Sequence, residues 1–203
     1  MQTITEIQQV YSPPLFEIGN DLEISSVHKW TKDEYYKIAD LGFFEGKRTE
    51  LIEGEIIEMP TMNSPHATAI RKVNVQLLKV FSENYVVDSQ MPMDFGEDTE
   101  LVPHIAVIQG KIEDFTSGHP QFADIIVEVA DTTLRQDRTR KLKIYSKKGI
   151  PEYWIVNLKH RCLEVFRRPS EEFYLEVAVF METDEISPLT KPNVKIKVAD
   201  LLP

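Results

Sequence analysis

The chain lacks the features of secreted, disulfide-stabilised or membrane-spanning proteins. Its 203 residues contain one cysteine, Cys162, so no internal disulfide can form, and no Cys/His spacing typical of a zinc site occurs. No apolar run approaches the roughly 20 residues that span a bilayer. Residues 1–10 are polar and lack the basic-then-apolar layout of a signal peptide. We therefore expect a cytoplasmic protein without a membrane partner.

The chain also lacks a positive charge balance: 33 acidic residues outnumber 23 lysines and arginines, so the formal net charge is -10. Sequence-independent DNA affinity comes from neutralising phosphates, so this balance argues against a protein that coats nucleic acid by charge alone. One segment, residues 135–148, is nevertheless basic. Its cations form either a solvated helix face or a surface that meets phosphate. They are Arg135, Arg138, Arg140, Lys141, Lys143, Lys147 and Lys148.

The remaining composition is that of an ordinary globular domain. Hydrophobic residues make up 42% of the chain and aromatic residues 9%, which is enough for a sizeable core. Residues 1–28 show no sustained period and include Pro13 and Pro14, which predicts an extended arm. We assign residues 29–203 to a single domain.

The hydrophobic pattern predicts helices from Thr31, where a capping box with Glu34 begins, over residues 64–81 with Ser64 as N-cap, and over residues 136–148. Apolar residues around Gly54 predict two short strands and a tight turn. The order strand 124–130, helix, strand 152–157 is typical of a parallel crossover unit. Segments at 163–166, 173–179 and 194–198 are predicted to finish the sheet in antiparallel fashion. The sum is an α/β fold, of the α+β kind, with a mixed central sheet flanked by helices.

Glu128 and Lys141 are the first candidates for chemistry. Glu128 lies in an apolar strand, where an acid has to be paired, coordinated or placed at the end of the strand. Asp137, Lys141 and Tyr145 are spaced by four and share a helix face, so Lys141 can reach the Glu128 carboxylate. The alternative is that Glu128 pairs with an arginine at a strand end, and that Asp137 and Lys141 form a surface ion pair without a function.

Residues 30–200 resemble the Uma-type putative restriction endonucleases of bacteria. The resemblance rests on the order and spacing of six short pieces. These are Glu50-Leu-Ile-x-Gly-Glu, Ser64-Pro-His66, Pro103-x-Ile-Ala-Val, Ile126-Val-Glu-Val, Asp137-Arg-x-x-Lys141-x-x-x-Tyr145 and Gly149-Ile-Pro-Glu-Tyr-Trp-Ile-Val156. The likeness implies a restriction-endonuclease-like core of the PD-(D/E)xK group, DNA as a partner and, commonly, a homodimer.

The resemblance also implies roles for particular residues. Glu128 matches a metal ligand and Glu50 a further acid beside it, with one or two Mg²⁺ or Mn²⁺ ions as cofactor. The catalytic set would be Glu128, Lys141 and Glu50. The lysine that the wider group places two residues after the glutamate is Ala130 here, so its role would pass to Lys141. Arg138 and His66 are the candidates for contact with nucleic acid.

His104 departs from the family pattern, which has aspartate after Pro103. The change replaces a hard anionic ligand by an imidazole, and magnesium prefers oxygen whereas imidazole suits zinc, nickel or iron. Three interpretations stay open. The site has lost its magnesium-dependent activity; it uses Glu50, Glu128 and Asp124 instead; or His104 is a ligand of a different metal.

Three functions compete at this point. The first is a metal-dependent endonuclease that hydrolyses DNA phosphodiester bonds, impaired by His104. The second is a catalytically inactive relative that binds nucleic acid or a protein partner. The third is a scaffolding dimer, in which the basic residues near Lys141 would pair with acids instead of lining an open cleft.

Overall fold

The structure is a computed structural model and describes residues 27–203. The predicted arm, residues 1–28, lies outside the described residues except for its last two. Within residues 27–203, no helix is both long and apolar enough to cross a membrane.

Within residues 27–203, four helices alternate with twelve strands. The helices are α1 (Lys32–Asp40), α2 (Ser64–Val80), α3 (Leu134–Gln136) and α4 (Leu142–Lys147), and the π-helical turn Asp137–Lys141 joins α3 to α4. The first six strands are β1 (Thr49–Ile52), β2 (Glu55–Glu58), β3 (Tyr85–Ser89), β4 (Met93–Gly96), β5 (Thr99–Leu101) and β6 (Ile105–Gln109). The other six are β7 (Ile125–Ala130), β8 (Glu152–Asn157), β9 (Cys162–Pro169), β10 (Tyr174–Met181), β11 (Glu185–Ile186) and β12 (Ile196–Lys197). Single 3-10 turns cover Ile112–Phe115 and Val198–Asp200.

A six-stranded mixed sheet forms the centre, in the order β10-β9-β8-β7-β6-β3. The pair β7 and β8 is parallel, as the crossover pattern predicts, and the other neighbours in this sheet are antiparallel. A separate four-stranded sheet has the order β2-β1-β5-β4. The predicted α+β fold with a mixed sheet is confirmed.

Buried side chains cover both faces of the central sheet. One cluster joins α2 to one face of the sheet through residues such as Val73, Leu77 and Trp154. The second cluster contains Tyr145 and Tyr153 and lies on the side of α4. Because β7 and β8 are buried along their whole length, the two central strands read as nearly continuous apolar runs in the sequence.

Local signals account for several element boundaries. Thr31 and Glu34 form the predicted capping box of α1. Gly54 has a φ of 74° and closes the predicted turn between β1 and β2. The cap of α2 is Asn63, whose side chain accepts a hydrogen bond from the His66 N–H at 2.9 Å, so the prediction of Ser64 as N-cap was wrong by one residue.

The end of the chain differs from its prediction. β9 and β10 continue the central sheet as expected, but the predicted strand 194–198 does not join it. Residues 196–197 form β12, which pairs only with β11 in a separate two-stranded ribbon. The short strands β4 and β5 were not predicted.

Candidate functional site

Four structural elements bring the predicted acids and lysine into one buried cluster. Glu50 comes from β1 and Glu128 from the centre of β7. Lys141 ends the π-helical turn, and His104 lies directly before β6. All four residues are at most 6% exposed, and Glu128 is fully buried. The cluster is therefore shielded from bulk water, and charge interactions inside it are stronger than they would be in water.

Lys141 lies between the two glutamates. Its Nζ is 3.0 Å from Oε1 of Glu50 and 2.9 Å from Oε1 of Glu128. The expected contact between Lys141 and Glu128 is present, whereas the surface ion pair with Asp137 is not formed and both residues are buried. The interpretation of Glu128 as a strand-end acid paired with arginine was likewise wrong.

The π-helical turn gives Lys141 this position. The N–H of Leu142 donates to the carbonyl of Asp137, five residues earlier, so the turn is wider than an α-helical one. The Tyr153 hydroxyl also donates to the Asp137 carbonyl, at 3.2 Å. One turn later, Tyr145 in α4 donates its hydroxyl to Oε1 of Glu128 at 2.9 Å. The helix thus delivers a cation and a hydroxyl to the same carboxylate.

Glu128 has four hydrogen-bond donors. Lys141 and Tyr145 occupy Oε1, while Nδ1 of His104 and the His104 backbone N–H, the latter at 3.3 Å, occupy Oε2. A carboxylate offers about four lone-pair positions, so the acceptor capacity of Glu128 is filled. Burial alone would raise the pKa of Glu128, but Lys141 and His104 outweigh it and hold the pKa below its usual range.

The contact with Glu128 decides which ring nitrogen of His104 carries a proton. Nδ1 faces an ionised carboxylate and therefore donates to it. The Val129 N–H also lies 3.2 Å from Nδ1, but the charged carboxylate is the stronger partner of this nitrogen. Nε2 of His104 then faces Nε2 of His66 at 2.9 Å. Burial, followed by the charge of His104, lowers the pKa of His66 to about 4, so His66 is neutral at pH 7.

Asp137 is a third carboxylate of the cluster. Its Oδ2 accepts a hydrogen bond from the Thr133 hydroxyl at 2.7 Å. Burial raises the pKa of Asp137 to about 7, with a further contribution from the charge of Glu128. In Lys141, burial lowers the pKa, but Glu128, Glu50 and Asp137 outweigh that effect and the net pKa is raised. Near pH 7 the ammonium therefore faces the ionised Glu128 carboxylate and an aspartate that is about half protonated.

A pocket opens onto this cluster. Glu50, His104, Asp137 and Lys141 form part of its wall, and His66 lines it from the start of α2. Around them lie Arg48, Glu58, Asn63 and Asp131, and the Asn63 amide donates to Asp131 at 2.8 Å. The pocket carries charges of both signs, so it is not a purely basic groove.

Two other candidates lie away from the pocket wall. Arg138 forms a two-pronged ion pair with Glu164, with both N–O distances 2.7 Å. Asp124 comes just before β7, and burial raises its pKa. Neither residue lines the pocket. The interpretation in which Asp124 joins Glu50 and Glu128 around an ion has no contact in its favour.

Most of the basic segment is paired with acids. Arg140 contacts Glu53 and Glu55 at 3.0 and 2.8 Å, and Lys143 contacts Glu172 at 2.9 Å. Together with Arg138 and Lys141, four of the seven cations have an acidic partner. Arg135, Lys147 and Lys148 are exposed and have none among residues 27–203.

A family model described as "Uma2: Putative restriction endonuclease" matches residues 33–199. The chain belongs to this family. The Uma-type family therefore accounts for nearly all of the described residues, and its nuclease character fits a cluster of buried acids beside a lysine.

The structural comparison shows the same fold. A crystal structure of a putative nuclease belonging to DUF820 from Anabaena variabilis matches with a TM-score of 0.67 and 20% sequence identity. The match covers 85% of this chain and 97% of the other. No curated protein matched the chain.

Uma-type and related endonucleases generally use divalent metal ions, and the donor set of this chain does not fit one. Among residues 27–203, no group of three or more His, Cys, Asp or Glu side chains is arranged to hold an ion. Glu128 has no free lone pair, and an ammonium already lies between Glu128 and Glu50. A hard cation such as Mg²⁺ needs open oxygen ligands. His104 and Lys141 fill the places that such an ion would require.

Sequence reasoning assigned no role to several residues of this site. Tyr145 carried a signal, since it follows Lys141 by four residues and shares its face. Asn63 and Asp131 meet only through the fold, because they are 68 positions apart and no local pattern links them. His66 was named as a candidate contact for nucleic acid, and the observed polar partner of its ring is His104.

Proposed function

We propose that this chain is a DNA endonuclease of the Uma type whose phosphodiester hydrolysis is impaired by His104. The observation that carries the proposal is the saturated carboxylate of Glu128. The fold and the acids Glu50 and Glu128 suit the nuclease family, whereas the hydrogen bonds of His104 and Lys141 leave no opening for a divalent ion.

His104 is the residue on which the impairment depends. An aspartate at this position would add an oxygen ligand, remove the Nδ1 donor from Glu128 and end the contact between Nε2 of His104 and His66. Glu50, Glu128 and the new aspartate would then offer the hard, anionic set that Mg²⁺ or Mn²⁺ prefers. Lys141, freed from part of its ion pairing, would be available to offset the charge that develops on phosphate.

The first prediction concerns His104→Asp. We expect the parent protein to leave supercoiled plasmid intact in Mg²⁺ or Mn²⁺, and His104→Asp to nick or linearise it at least about tenfold faster. Calorimetry with each ion should show binding by the variant only. Zn²⁺ and Ni²⁺ are titrated in parallel, because binding of these ions by the parent would favour a changed metal preference.

Two further variants control this experiment. His119→Asp introduces the same charge at an exposed histidine that does not line the pocket, and it should behave like the parent. His104→Asp combined with Glu128→Gln should lose the gained cleavage, since it removes one ligand charge. If the parent cuts DNA in Mg²⁺ as fast as His104→Asp does, the proposal is wrong.

A catalytically inactive binding protein is the second candidate. It is favoured by the saturated Glu128 carboxylate beside His104, which leaves no opening for a divalent ion. Within residues 27–203, four of the seven cations of the basic segment pair with acids, which is what the scaffolding-dimer hypothesis expects. This candidate predicts that His104→Asp gains neither metal binding nor cleavage. The remaining function would then be recognition of nucleic acid or of a protein partner.

A further inference from the structure

The pocket beside the buried cluster continues into an open groove on the surface. Five residues line both, so the pocket and the groove form one continuous depression. At one end the pocket reaches Lys141 and its acids, and at the other end the groove reaches Arg135 and Arg140. The shared residues are Ile57, Pro60, Thr132, Thr133 and Gln136.

The pocket is the more enclosed part of this depression. It leaves a free volume of about 110 Å³, and a protein cavity of about 150 Å³ holds one benzene ring. Its apolar lining consists of Ile57, Met59, Pro60 and Met62, and His66 adds a half-buried aromatic ring. Methionine sulfur and aromatic side chains both make favourable contacts with planar rings. The pocket therefore suits one flat ring system.

Polar groups accompany this apolar lining. Asn63, Asp131 and Gln136 line the same pocket. An amide supplies donors and an acceptor, and a carboxylate supplies acceptors. A nucleobase presents both donors and acceptors along its edge. The lining therefore matches a nucleobase better than it matches a plain hydrocarbon ring.

The charges at the inner end of the pocket are unfavourable for a phosphate. Three acids, Glu50, Glu128 and Asp137, surround the ammonium of Lys141, and the donor set does not fit a divalent ion that would offset them. A phosphate placed there would bring like charges together in a site of low dielectric constant. A neutral group is therefore expected at the inner end, with negative charge farther out.

The groove offers what the pocket lacks. Arg135 is exposed and has no acidic partner among residues 27–203, and Thr132 beside it in the groove is also exposed. Guanidinium groups and hydroxyls are common partners of phosphate oxygens. Arg140, which also lines the groove, is held by Glu53 and Glu55. Arg135 is thus the cation best placed to meet a phosphate.

We propose that the depression binds a single nucleic-acid strand, with one unpaired base in the pocket and the adjoining phosphate in the groove at Arg135. The inference rests on the proposed function in taking nucleic acid as the substrate of this site. A base inside a duplex is stacked and paired, so it has to leave the stack before it can enter the pocket. An unpaired strand meets no such barrier. DNA and RNA strands share the chemistry that the depression recognises.

Fluorescence anisotropy with the full chain in EDTA tests the proposal. The probes are a labelled strand of about eight nucleotides in DNA and in RNA form, the corresponding duplexes, and an oligomer with the same backbone but no bases. We expect a single strand to bind at least about tenfold more tightly than its duplex and than the oligomer without bases. Such a preference in the DNA or in the RNA series supports the proposal and identifies the strand.

Two variants address the two parts of the depression. Met62→Asp places a carboxylate in the apolar lining and should weaken binding of the single strand at least about tenfold. Its matched control is Met91→Asp, because Met91 is also exposed but lines neither part. Arg135→Met should weaken binding at least about threefold, since it removes a phosphate contact. Arg71→Met, at an exposed arginine outside the depression, is its control.

Equal affinity for strand and duplex, equal affinity for the oligomer without bases, or variants that bind like their controls would each overturn the proposal. Circular dichroism of each variant shows that the fold is retained. Because no cleavage is measured, the outcome is separate from that of the proposed function. Absence of strand binding while His104→Asp gains cleavage removes this inference alone, and strand binding without a gain of cleavage in His104→Asp removes the proposed function alone.

Discussion

At the level of single residues, Lys141 is the cation that holds the two buried glutamates of the site together. It is the only lysine or arginine bonded to Glu50 or Glu128 within the part of the chain that the structure describes, and it is 4% exposed. A buried ion pair adds little net stability, but removing one partner leaves the others charged in a poor solvent. The free energy of unfolding therefore depends on keeping the whole cluster together.

Lys141→Met should lower the free energy of unfolding by about 3–5 kcal/mol, because two buried glutamates lose their shared cation. Urea unfolding measures this change. Lys143→Met is the matched control. Its ion pair with Glu172 is exposed on both sides and screened by solvent, so its loss should leave the free energy of unfolding nearly unchanged. Adding Glu128→Gln to Lys141→Met should recover part of the loss, and a cycle without coupling would contradict the described contact.

Asp137 gives stability a pH dependence of a definite sign. Its pKa is about 7 in the folded chain, against an ordinary value of 3.8. Between these values the folded state holds a proton that the unfolded state has released, so folding takes up a proton. The contribution of Asp137 to stability is thus most favourable below about pH 4, falls as pH rises towards 7, and is constant above that.

Asp137→Asn should remove this dependence while keeping an oxygen acceptor for Thr133. Between pH 5 and pH 8, the parent should lose on the order of 2 kcal/mol relative to the variant, measured by urea unfolding at both pH values. Comparison with the variant cancels the contributions of other acids whose pKa burial raises, such as Asp88 and Asp124. A difference that stays constant with pH would show that Asp137 titrates as an ordinary acid.

Sequence reasoning located single residues of the site better than their partners. Glu128 stood out because an acid in an apolar strand needs a partner, and Lys141 because it shares a helix face with Tyr145. The neighbours of His104 could not be predicted, since the contact with His66 joins residues 38 positions apart. Whether Arg138 faces phosphate or an acid was equally open, because Glu164 reaches it only through the packing of β9 against the helix.

At the level of elements, the β1–β2 hairpin holds Glu50 in place through Gly54. A β-carbon at Gly54 would lie 2.7 Å from Cβ and 3.0 Å from Cα of Lys29. The N–H of the next residue, Trp30, donates to the Gly54 carbonyl at 2.9 Å. The hairpin is thus packed tightly against the segment that leads into α1.

Gly54→Ala should therefore cost more than its backbone conformation alone. Gly46→Ala is the control, because Gly46 has an almost equal φ of 75° but no atom within 4 Å of an added Cβ. We expect about 1 kcal/mol of destabilisation for Gly46→Ala and roughly 2–3 kcal/mol for Gly54→Ala, measured by chemical unfolding. Equal losses at the two positions would mean that Lys29 moves aside without cost.

Elements with a strong local signal were predictable, and those defined by hydrogen-bond register were not. The turn at Gly54, the capping box of α1 and the parallel pair β7–β8 follow from glycine, caps and apolar runs. The strands β4 and β5 have three or four residues each, too few for a period to emerge. The π-helical turn at Asp137–Lys141 was not predicted, because residue spacing does not reveal whether a backbone N–H donates to the carbonyl four or five residues earlier.

At the level of the whole molecule, the distribution of charge limits how this protein can meet DNA. The chain has a net charge of -10, and the described ion pairs occupy Arg138, Arg140, Lys141 and Lys143. The basic segment read from the sequence is therefore largely neutralised by the fold. Composition revealed the cations, but only the tertiary structure shows which of them have acids beside them.

Binding to duplex DNA should consequently depend weakly on salt. Each phosphate neutralised contributes about 0.9 to the slope of log K against log salt concentration. Arg135, Lys147 and Lys148, which have no acidic partner among residues 27–203, would give a slope of at most about -3, and all seven cations would give about -6. The slope is measured by fluorescence anisotropy with a labelled duplex at salt concentrations from about 50 to about 200 mM.

Replacing Lys147 and Lys148 by Met should reduce the magnitude of this slope by about 2. The same change at Lys143 should leave the slope unaltered, because Glu172 already neutralises that ammonium. A parent slope near -6 would show that DNA displaces the acidic partners, and the charge-paired segment would then be a binding surface that opens on contact with phosphate.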